Sequence, residues 1–163
     1  MFYIILYLVA IVCANILTTI FGPGMSIINA FIFIGFDLTS RDKLHEAWKN
    51  KGLVWKMGLL ILTGSIISWL LNRNAGIIAT ASFIAFSCSA IIDTAVYQLL
   101  YKKNQFIKIN GSNIFSALAD SIIFPTIAFG GFSLPITLGQ FLAKVGGGFI
   151  WSIIIKRKNG KHS

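Results

Sequence analysis

Acidic residues are scarce in this sequence: five Asp and Glu stand against fourteen Lys and Arg in a chain of 163 residues. Charged residues of both signs make up only 12% of the chain, whereas a soluble domain carries about twice that share. The sequence therefore lacks the charge that a soluble protein of this size needs on its surface.

Residues that carry enzyme chemistry are also few. The two histidines, His45 and His162, are far apart in sequence, and neither cysteine stands at metal-ligand spacing from a histidine. Cys13 and Cys88 lie inside apolar segments, where a thiol usually acts as a small hydrophobic side chain. The sequence contains no phosphate-binding glycine loop and no nucleophile elbow. We therefore predict that the chain is not an enzyme, and we expect no cofactor and no metal.

Hydrophobic residues make up 56% of the chain, and they fall into runs that approach the ~20 residues needed to cross a bilayer as a helix. This pattern predicts an all-α polytopic membrane protein in which residues 1–163 form a single domain. It consists of six transmembrane helices, with a short interfacial helix after helix 2. The predicted spans cover residues 2–21, 25–38, 52–71, 76–101, 112–129 and 134–155. The second span is short, so a re-entrant segment is the alternative for it.

The basic residues indicate the orientation of these spans. With the N-terminus inside, six spans place twelve of the fourteen Lys and Arg residues on the cytoplasmic side, Arg73 outside and Lys144 within a span. This bias follows the positive-inside rule and favours six spans over five. The net charge of +9 therefore indicates topology rather than nucleic-acid binding. We predict a multi-pass protein of the cytoplasmic (inner) membrane, surrounded by membrane lipid, with both termini in the cytoplasm.

Two acids lie within predicted spans, each in a copy of one nine-residue pattern. Residues 89–97 and 116–124 both read Ser-Ala-apolar-apolar-Asp-hydroxyl-apolar-apolar-aromatic, with Asp93 and Asp120 at the same position. Counted from the predicted span ends, both acids lie about 12 Å from the cytoplasmic surface, and Lys144 lies about 16 Å from it. An ionisable group in a membrane usually faces a partner or water. We therefore predict that the two carboxylates share one polar cavity with Lys144.

A carboxylate presents two hydrogen-bond acceptors in a fork that matches two adjacent N–H donors, as on the guanine edge. Amide, hydroxyl and aromatic side chains on the same spans add further contacts for a small, polar, planar solute. The predicted substrate-binding residues are Asp93, Asp120, Lys144, Asn113, Gln140, Tyr97, Ser116, Asn15 and Asn29. The alternative is a buried ion pair that only locks the helices together.

The polar segment after the second span holds three of the five acids. Thr39 and Asp42 resemble a helix-capping box, which predicts a short helix there. The charged residues of this helix either face solvent at the membrane interface or form a cytoplasmic gate or coupling site. The candidates for the gate are Asp37, Arg41, Asp42, His45 and Glu46.

One motif begins at Asn113 and continues through Asp120-Ser121, Phe124 and Ala128-Phe129 to Gly131. Outside it stand Asp93, Gln140, Lys144 and Arg41-Asp42 with His45-Glu46. Together these residues resemble the vitamin-uptake-transporter family, whose best-known members are the YhhQ-type queuosine-precursor transporters. The resemblance implies a six-span inner-membrane carrier. It also implies uptake of 7-cyano-7-deazaguanine or a related deazapurine, a purine-like solute that keeps the adjacent N–H donors of guanine.

Two other classes of function fit the same composition. One is a substrate-capture subunit of a multi-component ATP-driven vitamin importer, which would need partner helices and an ATPase. The other is a membrane assembly protein without a solute, in which the buried acids are structural. The sequence leaves open whether the chain forms a homo-oligomer.

Overall fold

A computed structural model describes residues 2–33, 48, 52–100, 102–103 and 105–159. Within these residues the protein is all-helical, with six helices and no strand. The helices are α1 (Phe2–Phe21), α2 (Pro23–Phe33), α3 (Leu53–Leu71), α4 (Gly76–Leu99), α5 (Gln105–Ala128) and α6 (Leu134–Asn159). A single 3₁₀ turn, Arg73–Ala75, joins α3 to α4.

Two helices end next to a glycine in the left-handed backbone conformation. Gly22 has a φ of 78° and separates α1 from α2, and Gly130 has a φ of 74° just after α5. Pro23 occupies the first position of α2, where its missing N–H removes no helical hydrogen bond. The predicted ends of the first and fifth spans, residues 21 and 129, agree with these helix ends within one residue. Glycine adopts a positive φ without the strain that other residues would have.

Helix α5 begins before the predicted fifth span. The helix begins at Gln105, seven residues before the predicted position 112, although Asn110-Gly111 resembles a turn. The reason is tertiary: α4 and α5 form the most extensive helix pair among the described residues. At Gly111, α5 comes so close to the end of α4 that an added Cβ would lie 2.7 Å from Cδ1 of Leu100, the residue after α4. Packing against α4 therefore overrides the weak helix propensity of these residues.

The helix ends give the positions of the two acids along α4 and α5. Asp120 lies about 22 Å from the start of α5, and Asp93 lies about 9 Å from the end of α4, at a rise of 1.5 Å per residue. Helix ends do not mark a membrane surface, so the equal depth predicted for Asp93 and Asp120 stays a prediction.

The described part of the chain is more polar inside than outside. Gln140, Ser68 and Asn15 are at most 3% exposed, whereas hydrophobic side chains such as Phe2 and Leu71 are about two-thirds exposed. Two helices, Phe2–Phe21 and Arg73–Leu99, are long and apolar enough to cross a membrane, and Pro23–Phe33 and Trp55–Leu71 are shorter apolar helices. This distribution is typical of a protein whose outer surface contacts lipid.

Candidate functional site

A cavity of about 140 Å³ lies where five of the helices meet. Helices α1, α2, α4, α5 and α6 each contribute at least one residue to its wall. Eight of the eleven lining residues are polar or charged, and the other three are two alanines and one phenylalanine. The lining residues are Asn15, Thr18, Ser26, Asn29, Ser82, Asp120, Gln140 and Lys144, with Ala14, Ala30 and Phe124.

An ion pair between α5 and α6 forms one side of this cavity. Lys144 Nζ donates to Asp120 Oδ2. The same ammonium lies 3.2 Å from Ser121 Oγ and 3.4 Å from Gln140 Oε1. The two charged side chains are 16% and 26% exposed, so neither is in bulk water. The three N–H donors of Lys144 thus have three acceptors, and only one of them is charged.

Gln140 connects the ion pair to the start of α2. Its side chain is 2% exposed, and its Nε2 donates to Ser26 Oγ across 2.7 Å. Ser26 Oγ in turn donates to the main-chain carbonyl of Pro23. Because Gln140 Oε1 is near Lys144, one amide orients the ammonium with its oxygen and holds α2 with its nitrogen.

Amide side chains also hold α1 against its neighbours. Asn15 is 3% exposed, and its Nδ2 donates to Ser68 Oγ on α3 at 3.2 Å. Asn29 on α2 donates through Nδ2 to Ala14 O and to Thr18 Oγ1, each at 3.0 Å. These contacts fix the positions of Asn15 and Asn29 in the cavity wall, because each side-chain nitrogen donates to a specific partner.

A proline interrupts the main-chain hydrogen bonds of α5 close to the acid. Pro125 lies inside the helix, is fully buried and has no N–H to donate to the Ser121 carbonyl. Ser121 is also completely buried, and its hydroxyl accepts from Lys144. Helix α5 therefore lacks one main-chain hydrogen bond beside the charged pair.

The sequence matches a known protein family over nearly its whole length. The model of the family described as "Putative vitamin uptake transporter" matches residues 2–156, which is nearly the whole chain. The chain belongs to this family. No match is found among curated proteins or among solved structures. Family membership supports a transporter role and speaks against an enzyme.

The cavity of this family member brings together five of the predicted substrate-binding residues: Asn15, Asn29, Asp120, Gln140 and Lys144. They come from four helices, so their proximity is a property of the packing. The sequence also contained a signal for two residues that were not predicted. Thr18 follows Asn15 by three positions and Ser26 precedes Asn29 by three, so each pair shares a helix face. Ser82 is the lining residue that α4 contributes, and no predicted site residue shares its helix face at this spacing.

Four predicted residues do not line this cavity: Asp93, Asn113, Ser116 and Tyr97. The Ser116 hydroxyl donates to the Asn113 carbonyl of its own helix at 3.1 Å. Asp93 Oδ1 is buried and has no hydrogen-bond partner among the described residues. The predicted cavity with both acids and the lysine is therefore not the one seen here, which contains Asp120 and Lys144 alone of the three.

The predicted gate lies outside the described residues. This concerns the interfacial helix and its candidates Asp37, Arg41, Asp42, His45 and Glu46. Trp48 is the described residue that follows the gate candidates in sequence, and its ring centroid lies 5.8 Å from Lys56 Nζ. Trp48 also packs against the hydrophobic cluster between α1 and α3 that includes Tyr7 and Met57.

Proposed function

We propose that the chain is a membrane transporter that imports a queuosine precursor, 7-cyano-7-deazaguanine or a related deazapurine. The single observation that carries the proposal is the Asp120–Lys144 pair in a polar cavity where five helices meet. Charged groups inside a membrane are costly and usually mark a solute or ion pathway. The family match supports transport as the class of function.

Binding of such a solute requires an exchange of partners at Asp120. The carboxylate now accepts from Lys144, and a base with two adjacent N–H donors would take over its two oxygens. Lys144 keeps neutral acceptors at Ser121 Oγ and Gln140 Oε1, so the exchange does not leave the ammonium without hydrogen bonds. It can then donate to an acceptor atom of the base, while the Phe124 ring offers a face for stacking.

The volume of the cavity can be compared with the size of the proposed solute. Its volume of about 140 Å³ is close to that of a ~150 Å³ protein cavity that holds benzene. A bicyclic base is larger than benzene, so the walls must move apart to enclose it.

The proposed location is the cytoplasmic (inner) membrane, with several crossings and both termini in the cytoplasm. Cation–aromatic contacts at both ends of α3 support a crossing by this helix. Lys56 Nζ lies 5.9 Å from the Trp55 ring centroid, and Arg73 lies 3.9 Å from that of Trp69. The two tryptophans are separated by about 21 Å of helix, and such residues are enriched at the two faces of a bilayer.

The direct test is transport by the purified protein in liposomes. We expect uptake of labelled 7-cyano-7-deazaguanine without ATP and without another protein, and thermal stabilisation of the detergent-solubilised protein by the same compound. Guanine and unrelated pyrimidines serve as competitors that define the solute class. Uptake only after addition of an ATPase subunit would favour the capture-subunit alternative. Absence of both uptake and stabilisation across a panel of purines and deazapurines contradicts the proposal.

A further inference from the structure

Asn29 lines the cavity and is only 5% exposed. Its Oδ1 is buried and has no hydrogen-bond partner among the residues that the structure describes. Buried polar atoms in proteins are nearly always paired, so an unpaired acceptor on a residue that lines a polar cavity points to a donor from outside the described residues.

The orientation of this amide is fixed by its other atom. The nitrogen donates both to Ala14 O and to Thr18 Oγ1 at 3.0 Å. An amide turned by 180° would place its oxygen against the Ala14 carbonyl oxygen, which has no proton to donate. The free atom of Asn29 is therefore an acceptor, held in place by α1.

We propose that Asn29 is a specificity-determining residue whose Oδ1 accepts a hydrogen bond from an N–H group of the transported solute. The inference rests on the proposed function and adds a neutral acceptor on α2 to the charged acceptor of Asp120 on α5. A solute that carries donors on two of its edges satisfies both helices. A solute with donors on one edge alone leaves one of these acceptors unpaired, which weakens its binding.

The test pairs a change in the side chain with a change in the solute. Binding of 7-cyano-7-deazaguanine to the full-length protein in detergent is measured by calorimetry, together with analogues in which each N–H in turn is methylated or absent. In the unaltered protein, loss of the N–H that faces Asn29 weakens binding by about threefold to tenfold, the size of one neutral hydrogen bond. In Asn29→Ala the same analogue binds as well as the parent compound. The ratio within one protein removes any general effect of the substitution.

Two further variants keep the test decisive. Thr137→Val removes another buried hydroxyl that has no partner in the described residues and does not line the cavity, so the analogue ratios should stay unchanged. Thr18→Val keeps the Asn29 oxygen but removes one of the two contacts that orient it, so the ratio for the same analogue should shrink in part. This variant decides the question if Asn29→Ala does not fold.

The outcomes separate the two proposals. If the parent compound binds but every analogue ratio is the same in the unaltered protein and in the Asn29 or Thr18 variant, Asn29 is only a structural amide and the inference is overturned. If the unaltered protein binds neither the parent nor any analogue, the proposed function fails, and the inference fails with it.

Discussion

The two copies of the nine-residue pattern, 89–97 on α4 and 116–124 on α5, have different surroundings in the folded protein. In the second copy Asp120 pairs with Lys144 and lines the cavity, and Phe124 contributes its ring to the same wall. In the first copy one oxygen of Asp93 is buried without a partner among the described residues, and Tyr97 does not line this cavity. Equal sequence patterns thus lie beside different neighbours.

The difference shows what a local pattern leaves undecided. Both copies form helix, and both place an acid, a hydroxyl and an aromatic side chain at the same spacing. Among the described residues, the copy on α5 forms an ion pair, because α6 packs against it and carries Lys144. The proposed role of each acid therefore depends on the helix that faces it, and matched substitutions in the two copies test this directly.

The largest effect is expected for Asp120→Asn. The substitution removes the charged acceptor for the solute and leaves Lys144 without its anion. Charged hydrogen bonds contribute roughly 1.5–3 kcal/mol each, so we expect uptake to fall by about a hundredfold or more. The measurement is uptake of labelled 7-cyano-7-deazaguanine, normalised to the amount of inserted protein. Normal uptake by this variant rejects the site.

A neutral double variant separates a solute site from a structural lock. Asp120→Asn combined with Lys144→Met removes both charges, so the folded protein should recover stability relative to either single variant. Uptake should stay lost, since no carboxylate remains for the solute. If the double variant transports as well as the unaltered protein, the ion pair is structural only.

The aromatic positions of the two copies should differ less strongly. Phe124→Ala removes a ring from the cavity wall, and we expect solute affinity to fall about tenfold, as for loss of one stacked base. Tyr97→Ala, the matched change in the other copy, should leave the affinity nearly unchanged. Calorimetry on both purified variants checks the contrast, and equal losses would show that both copies face the solute.

A smaller effect is expected for Asp93→Asn. A neutral amide is easier to bury than a carboxylate, and Asp93 Oδ1 has no partner to lose within the described residues. We expect uptake within about threefold of the unaltered protein and equal or higher thermal stability. A loss as large as that of Asp120→Asn would mean that both acids act on the solute, and the contrast between the copies would disappear.

The smallest effect is expected at the serines that open the two copies. Ser89 Oγ donates to the Phe86 carbonyl at 2.9 Å, and Ser116 Oγ donates to the Asn113 carbonyl at 3.1 Å, each within its own helix. Ser89→Ala and Ser116→Ala should each change the free energy of unfolding by less than about 0.5 kcal/mol and leave uptake unchanged. A clear transport defect in Ser116→Ala, but not in Ser89→Ala, would indicate that Ser116 contacts the solute.

Much of the fold was predictable from hydrophobic run length and glycine positions. The predicted first span coincides with α1, and the predicted starts or ends of α3, α4 and α6 agree within a few residues. These boundaries depend on neighbouring residues in sequence. The start of α5 lies seven residues before the predicted span, because residues 110–113 have turn-like composition and the sequence does not show that α5 packs closely against the end of α4 there.

The amino-acid sequence alone predicted an apolar, helical chain in which Asp93, Asp120 and Lys144 lie deep inside hydrophobic segments. Tertiary structure alone decided that Lys144 meets Asp120 rather than Asp93, and that Asn15, Asn29 and Gln140 join them around one cavity. The physical reason is distance along the chain: Gln140 and Ser26 are 114 residues apart, and no local pattern specifies which helix faces share an interior. Side-chain packing between helices selects that arrangement.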